Sequence, residues 1–152
     1  MPGMRIEEEI QQQQFATPAE KTLVNLVFTV NWLNERLDAA LRPHGVTQRQ
    51  YNILRILRGQ QGKSICLEDI KGRMLDRNPD VSRLVERMRA AGLLDRTTNP
   101  DNRRRVEVRI TQAGLDLLND VEHLVKQSYA PLTQLGESEH AVINQLLDRL
   151  RT

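Results

Sequence analysis

Along most of the chain, apolar residues recur every three or four positions, the spacing of one buried helix face. Thr17-Pro18 opens the first long run, with Thr17 as cap and Pro18 at the first helical position, where its missing N–H costs nothing. Leu23, Leu26, Val27, Val30, Leu33 and Leu37 form one stripe, and Arg42-Pro43-His44-Gly45 stops it. Thr47 and Gln50 make a capping box for a second helix that turns Tyr51, Ile53, Leu54, Ile56 and Leu57 inward. Residues 59–62 break the pattern, and residues 63–66 are expected as a short strand. Leu67 to Leu75 reads as a third helix with Ile70 and Met74 inside, although Gly72 sits mid-helix at a cost of about 1 kcal/mol relative to alanine. A fourth helix is expected from Asn78 as cap and Pro79 at the first position. Its inner face is Val81, Leu84, Val85 and Met88, and Gly92 supplies the left-handed residue that ends it.

Beyond Gly92 the period drops to two. Leu93 to Thr98 reads as one strand, Asn99-Pro100-Asp101-Asn102 as a turn, and Arg103 to Ile110 as the returning strand. In it Val106, Val108 and Ile110 alternate with Arg105, Glu107 and Arg109, so one face packs and the other is wet. Thr111 then caps a long helix running to about Gln134, with Leu118, Val121, Val125 and Leu132 on one side and Pro131 bending its last turn. Gly136 breaks the chain, Ser138 is the expected cap, and Val142, Ile143, Leu146, Leu147 and Leu150 stripe the final helix. The fold class is therefore mainly α, with six helices and a small β-hairpin. Residues 1–17, with three consecutive glutamates and four glutamines, form a polar arm with little to bury.

Charge sharpens this picture. The net charge is only +2, but residues 71–109 carry 11 basic and 6 acidic side chains, while residues 110–152 carry 3 and 6. The surplus is mostly arginine, which suits bidentate contacts to phosphate and guanine. It falls on the fourth helix and the hairpin. Asn78, Pro79, Asp80, Ser82, Arg83 and Arg87 occupy the helix start and its outward side, with Arg89 nearby, and Arg103, Arg104 and Arg105 follow the hairpin turn. Short side chains at the start and cations further on make a helix suited to a DNA major groove, and a cationic ribbon tip suits the minor groove. Asp101 is expected to orient Arg103 through a charge-assisted hydrogen bond.

Other chemistry is excluded. His44, His123 and His140 lie in unlike elements without metal-ligand spacing, and no phosphate-binding loop or dinucleotide glycine motif occurs. No enzyme, metal or cofactor is expected. The one cysteine, Cys66, lies in an apolar setting that favours an inert thiol over a redox sensor. The polar, acidic start lacks a signal-peptide pattern, and the most apolar run is too short to cross a membrane, so the expected compartment is the cytoplasm.

The run Asp101-x-Arg103-x-x-Val106-x-Val108-x-Ile110-Thr111-x-x-Gly114 resembles the wing signature of the MarR family (multiple-antibiotic-resistance regulators). Ser82-Arg83-Leu84-Val85-Glu86-Arg87 followed by Gly92-Leu93-Leu94 is similar to that family's recognition helix and exit. Lys71 departs from the pattern, since a small residue is common there. The resemblance implies a winged helix–turn–helix homodimer with an arm at 1–17, a protomer at 18–152, a DNA-reading region at 46–110 and dimerisation helices at 18–45 and 111–152. It also implies a transcriptional regulator, more often a repressor, on a pseudo-palindromic DNA operator, released by a small aromatic effector or an oxidant. Phe28, Trp32 and Tyr51 are the candidate ligand-pocket residues. Two alternatives stay open: a non-sensing architectural DNA-binding protein, and a winged-helix scaffold for protein partners.

Overall fold

In this computed structural model residues 3–152 are described, and they fall into two compact units, one ending at Arg36 and the other running from Leu37 to Thr152. Seven α-helices, two 3₁₀ segments and three strands are present among them, one helix more than the sequence pattern suggests. The additional one is α1 (Ile6–Glu9), a single turn inside the arm. The arm also buries more than its composition predicts: Ile6 is 6% exposed. Glu7 accepts a short hydrogen bond from the Lys21 ammonium and pairs with Arg5 at 3.4 Å. That Lys21 bond, foremost, holds the Glu7 carboxyl below the usual range.

Helix α2 (Pro18–Leu41) starts as expected, because Thr17 Oγ1 accepts from the Glu20 N–H at 3.1 Å. It ends in a 3₁₀ turn (Arg42–His44) followed by Gly45 at φ 68°. Within the first unit its stripe is open to solvent, with Leu23 62% and Val27 and Val30 each 51% exposed.

The second unit has a true core. Leu41, Ile53, Leu54, Leu57, Ile70, Val85, Met88, Leu94, Val108, Leu118 and Val121 are all fully buried. Helix α3 (Gln48–Arg58) begins with the predicted capping box, Thr47 Oγ1 accepting from Gln50 N–H and Gln50 Oε1 from Thr47 N–H, each at 3.2 Å. Strand β1 (Ile65–Cys66), β2 (Leu94–Thr98) and β3 (Val106–Ile110) form an antiparallel sheet in the order β1-β3-β2. The register pairs Ile65 with Val108, Leu94 with Ile110 and Thr98 with Val106.

Several boundaries differ from the sequence reading. Helix α4 (Leu67–Arg73) stops before Met74, which turns extended. The Leu75 N–H donates to Asn52 Oδ1 at 2.9 Å, and Arg49 Nε lies 2.7 Å from an Asp76 oxygen, so contacts from α3 outcompete further helix. Helix α6 (Gln112–Ser128) ends short of Gln134 because Pro131 lacks an N–H and its ring would strike the carbonyl four residues back; the chain tightens into a 3₁₀ segment at Ala130–Gln134 instead. Helix α7 (Glu137–Leu150) is capped at Gly136, whose N–H donates to Glu139 Oε2 at 2.8 Å, and Ser138 lies inside the first turn rather than at the cap. No helix among the described residues is long and apolar enough to cross a membrane.

Candidate nucleic-acid interface

The recognition element is α5 (Val81–Ala90), and it starts later than the sequence suggests. Its cap is Asp80, whose Oδ1 accepts from the Arg83 N–H at 3.2 Å. Asn78 is an exposed residue of the irregular segment before it, and Pro79 is buried. Asp80 itself is non-helical, at φ −82° and ψ 78°, so the helix opens only after it and its carboxylate, not the Asn78 amide, supplies the cap. Pro79 therefore packs against the protein just ahead of the cap.

Val81, Val85 and Met88 seat α5 on the core, with Leu84 half-buried beside them. The exit is a complete Schellman motif: Gly92 at φ 77° donates to the Arg89 carbonyl at 2.9 Å, and the Leu93 N–H reaches Met88 O at 3.0 Å. Thr111 fastens the next helix to this exit. Its hydroxyl donates to Gly92 O at 2.6 Å and accepts from the Gly114 N–H at 3.2 Å. At Gly114 a Cβ would lie 2.3 Å from the Leu93 carbonyl oxygen, so no side chain fits there. The Thr-x-x-Gly pattern after the hairpin is thus a docking device between α6 and the end of α5.

Ser82, Arg83 and Arg87 are exposed on the outward side of α5. Arg103, Arg104 and Arg105 are exposed too, but they belong to the loop rather than to the returning strand, which begins only at Val106. The Asn99 N–H donates to Arg105 O at 2.9 Å and closes a loop that the strand ladder cannot enter. Inside it Asn99 Oδ1 accepts from the Asp101 N–H at 2.9 Å, and Asn102 Oδ1 from the Arg104 N–H at 3.1 Å. These two asparagine turns shape the tip. No ion pair joins Asp101 to Arg103 among the described residues.

The arginines fall into two groups. Arg105 Nε donates to Glu107 Oε1 at 2.8 Å, which raises the guanidinium pKa. Arg89 makes a fork to Glu86, with Nη2 to Oε1 at 2.7 Å and Nε to Oε2 at 3.0 Å, and Arg96 on β2 reaches the same carboxylate at 3.4 Å. Arg89 chiefly, then Arg96, holds the Glu86 carboxyl below its ordinary range. Arg83, Arg87, Arg103 and Arg104 make no ion pair among the described residues. The spacing of Glu86 and Arg89 was visible in the sequence; the partnership with Arg96 needs the tertiary fold.

The three candidate pocket residues separate. Phe28 and Trp32 line a cavity of about 210 Å³ with Met4, Ile6 and Asn25 in the first unit. Tyr51 lines a different one, about 230 Å³, with Arg55, Leu75, Asp76, Val125 and Tyr129 in the second. The Arg55 guanidinium lies 6.0 Å from the Tyr51 ring centroid, and burial pushes the Tyr51 hydroxyl pKa up. Cys66 is a buried free thiol in β1, paired across the sheet with Glu107.

The MarR family profile matches residues 46–106, which span α3, β1, α4, α5, β2 and the tip loop. A MarR transcription factor from Planctomyces limnophilus superposes with a TM-score of 0.70 at 31% identity, covering 89% of this chain and 98% of that one. This chain belongs to the MarR family. A further relative, the HTH-type transcriptional regulator MhqR of Bacillus subtilis (strain 168), is 25% identical over 122 residues, 78% of this chain and 81% of its own length. A solved structure of a mutant MarR from E. coli complexed with operator DNA has the same fold, with a TM-score of 0.71 at 24% identity over 85% of this chain and 93% of that one. As a MarR-family member, the protein is a DNA-binding transcriptional regulator with a winged helix–turn–helix, and the family is not enzymatic.

Proposed function

We propose that the protein is a homodimeric, ligand-responsive repressor that reads a pseudo-palindromic operator. The carrying observation is the division among its arginines. Arg83 and Arg87 on α5 and Arg103 and Arg104 at the loop tip are exposed and make no ion pair among the described residues, whereas their neighbours are neutralised internally. Free guanidiniums along the outward side of a groove-sized helix suit base edges and phosphates, and free guanidiniums at a ribbon tip suit a narrow minor groove. Ser82 and the Asp80 cap add hydrogen-bonding groups at the helix entrance.

A second copy of the chain supplies the two-fold symmetry. Exposed apolar residues on α2 (Leu23, Val27, Val30) and α7 (Val142, Ile143, Leu146, Leu150) support this, because a stable monomer rarely leaves such stripes in water. Two reading helices then enter successive major grooves, and the tips reach the flanking minor grooves.

The effector site in this reading is the Tyr51–Tyr129 cavity. Its two phenol rings and the Arg49 and Arg55 guanidiniums suit a small aromatic acid. An occupant would touch Leu75 and Asp76, which Asn52 and Arg49 hold just ahead of α5, so its binding would shift the entry to the reading helix. The test is footprinting on the DNA upstream of the protein's own gene, with and without aromatic acids. Protection of a symmetric site that Arg83→Ala abolishes, and that an aromatic acid relieves, is the expected outcome. Uniform coating of the DNA insensitive to Arg83→Ala would overturn the reading.

A further inference from the structure

The acidic residue on the reading helix needs a reason to be there. At about 100° per residue, Glu86 falls on the same outward side of α5 as Arg83 and Ala90, opposite Val81, Val85 and Met88. A carboxylate there repels phosphates. Its stabilising contribution is small, because the Glu86, Arg89 and Arg96 side chains are each between 38% and 48% exposed, and solvent screens such pairs. What the carboxylate does achieve is geometric. It takes three hydrogen bonds from Arg89, at 2.7, 3.0 and 3.2 Å, and one from Arg96 at 3.4 Å. One carboxylate thus occupies two guanidiniums, one on the reading helix and one on the strand that leads to the tip.

We propose that Glu86 is a specificity determinant that withholds Arg89 and Arg96 from the DNA backbone. Phosphate contacts raise affinity for every sequence alike, so each cation taken out of service lowers non-specific binding while leaving base contacts in place. Arg83 and Arg87, which have no such partner among the described residues, then account for a larger share of the binding. The fork to Arg89 occupies the Nε–Nη2 edge of its guanidinium and ties the side chain back to Glu86, and the bond to Arg96 fixes α5 against β2 in the same stroke. The inference rests on the reading that the outward side of α5 faces DNA.

The test is Glu86→Gln, which keeps the size of the side chain and removes its charge. Binding is measured against a selected operator and a random-sequence duplex over a range of salt concentrations. The random duplex should bind roughly five- to tenfold more tightly, with a salt slope steeper by up to about two counterions per protomer, and the operator-to-random ratio should fall. Repeating the substitution in an Arg89→Gln, Arg96→Gln background separates the mechanisms: the gain should vanish there. A gain that survives in that background means simple loss of repulsion and overturns the proposal. So does an unchanged ratio, or an operator-only loss at one base pair, which would make Glu86 a base reader. Arg83→Ala in the same assay checks the underlying reading separately. If it alters neither affinity, α5 does not face the DNA.

Discussion

Helices α5 and α7 carry nearly the same amphipathic pattern and meet opposite fates. In α5 the stripe Val81, Val85, Met88 is no more than 5% exposed, because α3, α4 and the sheet close over it. In α7 the stripe Val142, Ile143, Leu146, Leu150 is 41–63% exposed. Periodicity tells which residues want to be covered; it does not tell whether the cover is the same chain or another. The stripe on α5 positions one reading helix; in the proposed dimer, the stripe on α7 positions two of them relative to each other.

The comparison can be tested by truncation at matched positions. Met88→Ala should cost about 2–5 kcal/mol in denaturant unfolding, as a fully buried methionine does. Leu146→Ala should cost a comparable amount only if a second copy covers it, and the loss should then shrink on dilution as the dimer dissociates. A concentration-independent effect within about 0.5 kcal/mol would leave Leu146 an ordinary surface residue.

Next in size is Gly114→Ala. With the Leu93 carbonyl 2.3 Å from the new methyl, α6 must move off the exit of α5. Destabilisation of about 1–3 kcal/mol is expected from overpacking, with DNA affinity falling alongside stability because the end of the reading helix shifts. Unchanged thermal unfolding would show that the contact gives way freely.

The cap of α5 offers a sharper distinction. Asp80→Ala should lose about 1 kcal/mol, whereas Asn78→Ala should be nearly neutral for stability. The reverse order would restore the earlier helix start. This pair also shows where sequence reading stops. Asn78-Pro79 matches a common opening for a helix, and only the burial of Pro79 and the Asp80–Arg83 bond move the start by two residues. Helices with a strong stripe and a clear stop, such as α2 before Gly45 and α5 before Gly92, were legible because local chemistry alone decides them. The end of α4 was not, since Asn52 and Arg49 come from a distant part of the chain. At the site, the cationic residues were legible as a group. Which of them are free was legible only in part: the Glu86–Arg89 and Glu107–Arg105 pairs are local in sequence, whereas the bond from Arg96 to Glu86 needs the tertiary fold.

The smallest effect concerns the arm. Because Lys21 depresses the Glu7 carboxyl, the arm contact is stabilised above the ordinary glutamate range and should be lost only as pH falls through the lower folded value. Amide exchange at Ile10, which donates to Ile6 O at 3.1 Å, should therefore stay slow through mildly acidic pH and quicken below the usual carboxylate range. In Lys21→Met that change should move to higher pH. Quickening at the same pH in both proteins would detach Lys21 from the arm.

The most direct measurement is selection from a randomised duplex library by the full-length protein at fixed salt. If α5 reads DNA and the α2 and α7 stripes pair two copies, the enriched sites will be inverted repeats whose halves lie about 10–10.5 base pairs apart, centre to centre. Enrichment of a single asymmetric half-site would contradict the pairing, and no enrichment over the starting library would contradict sequence reading by α5 itself.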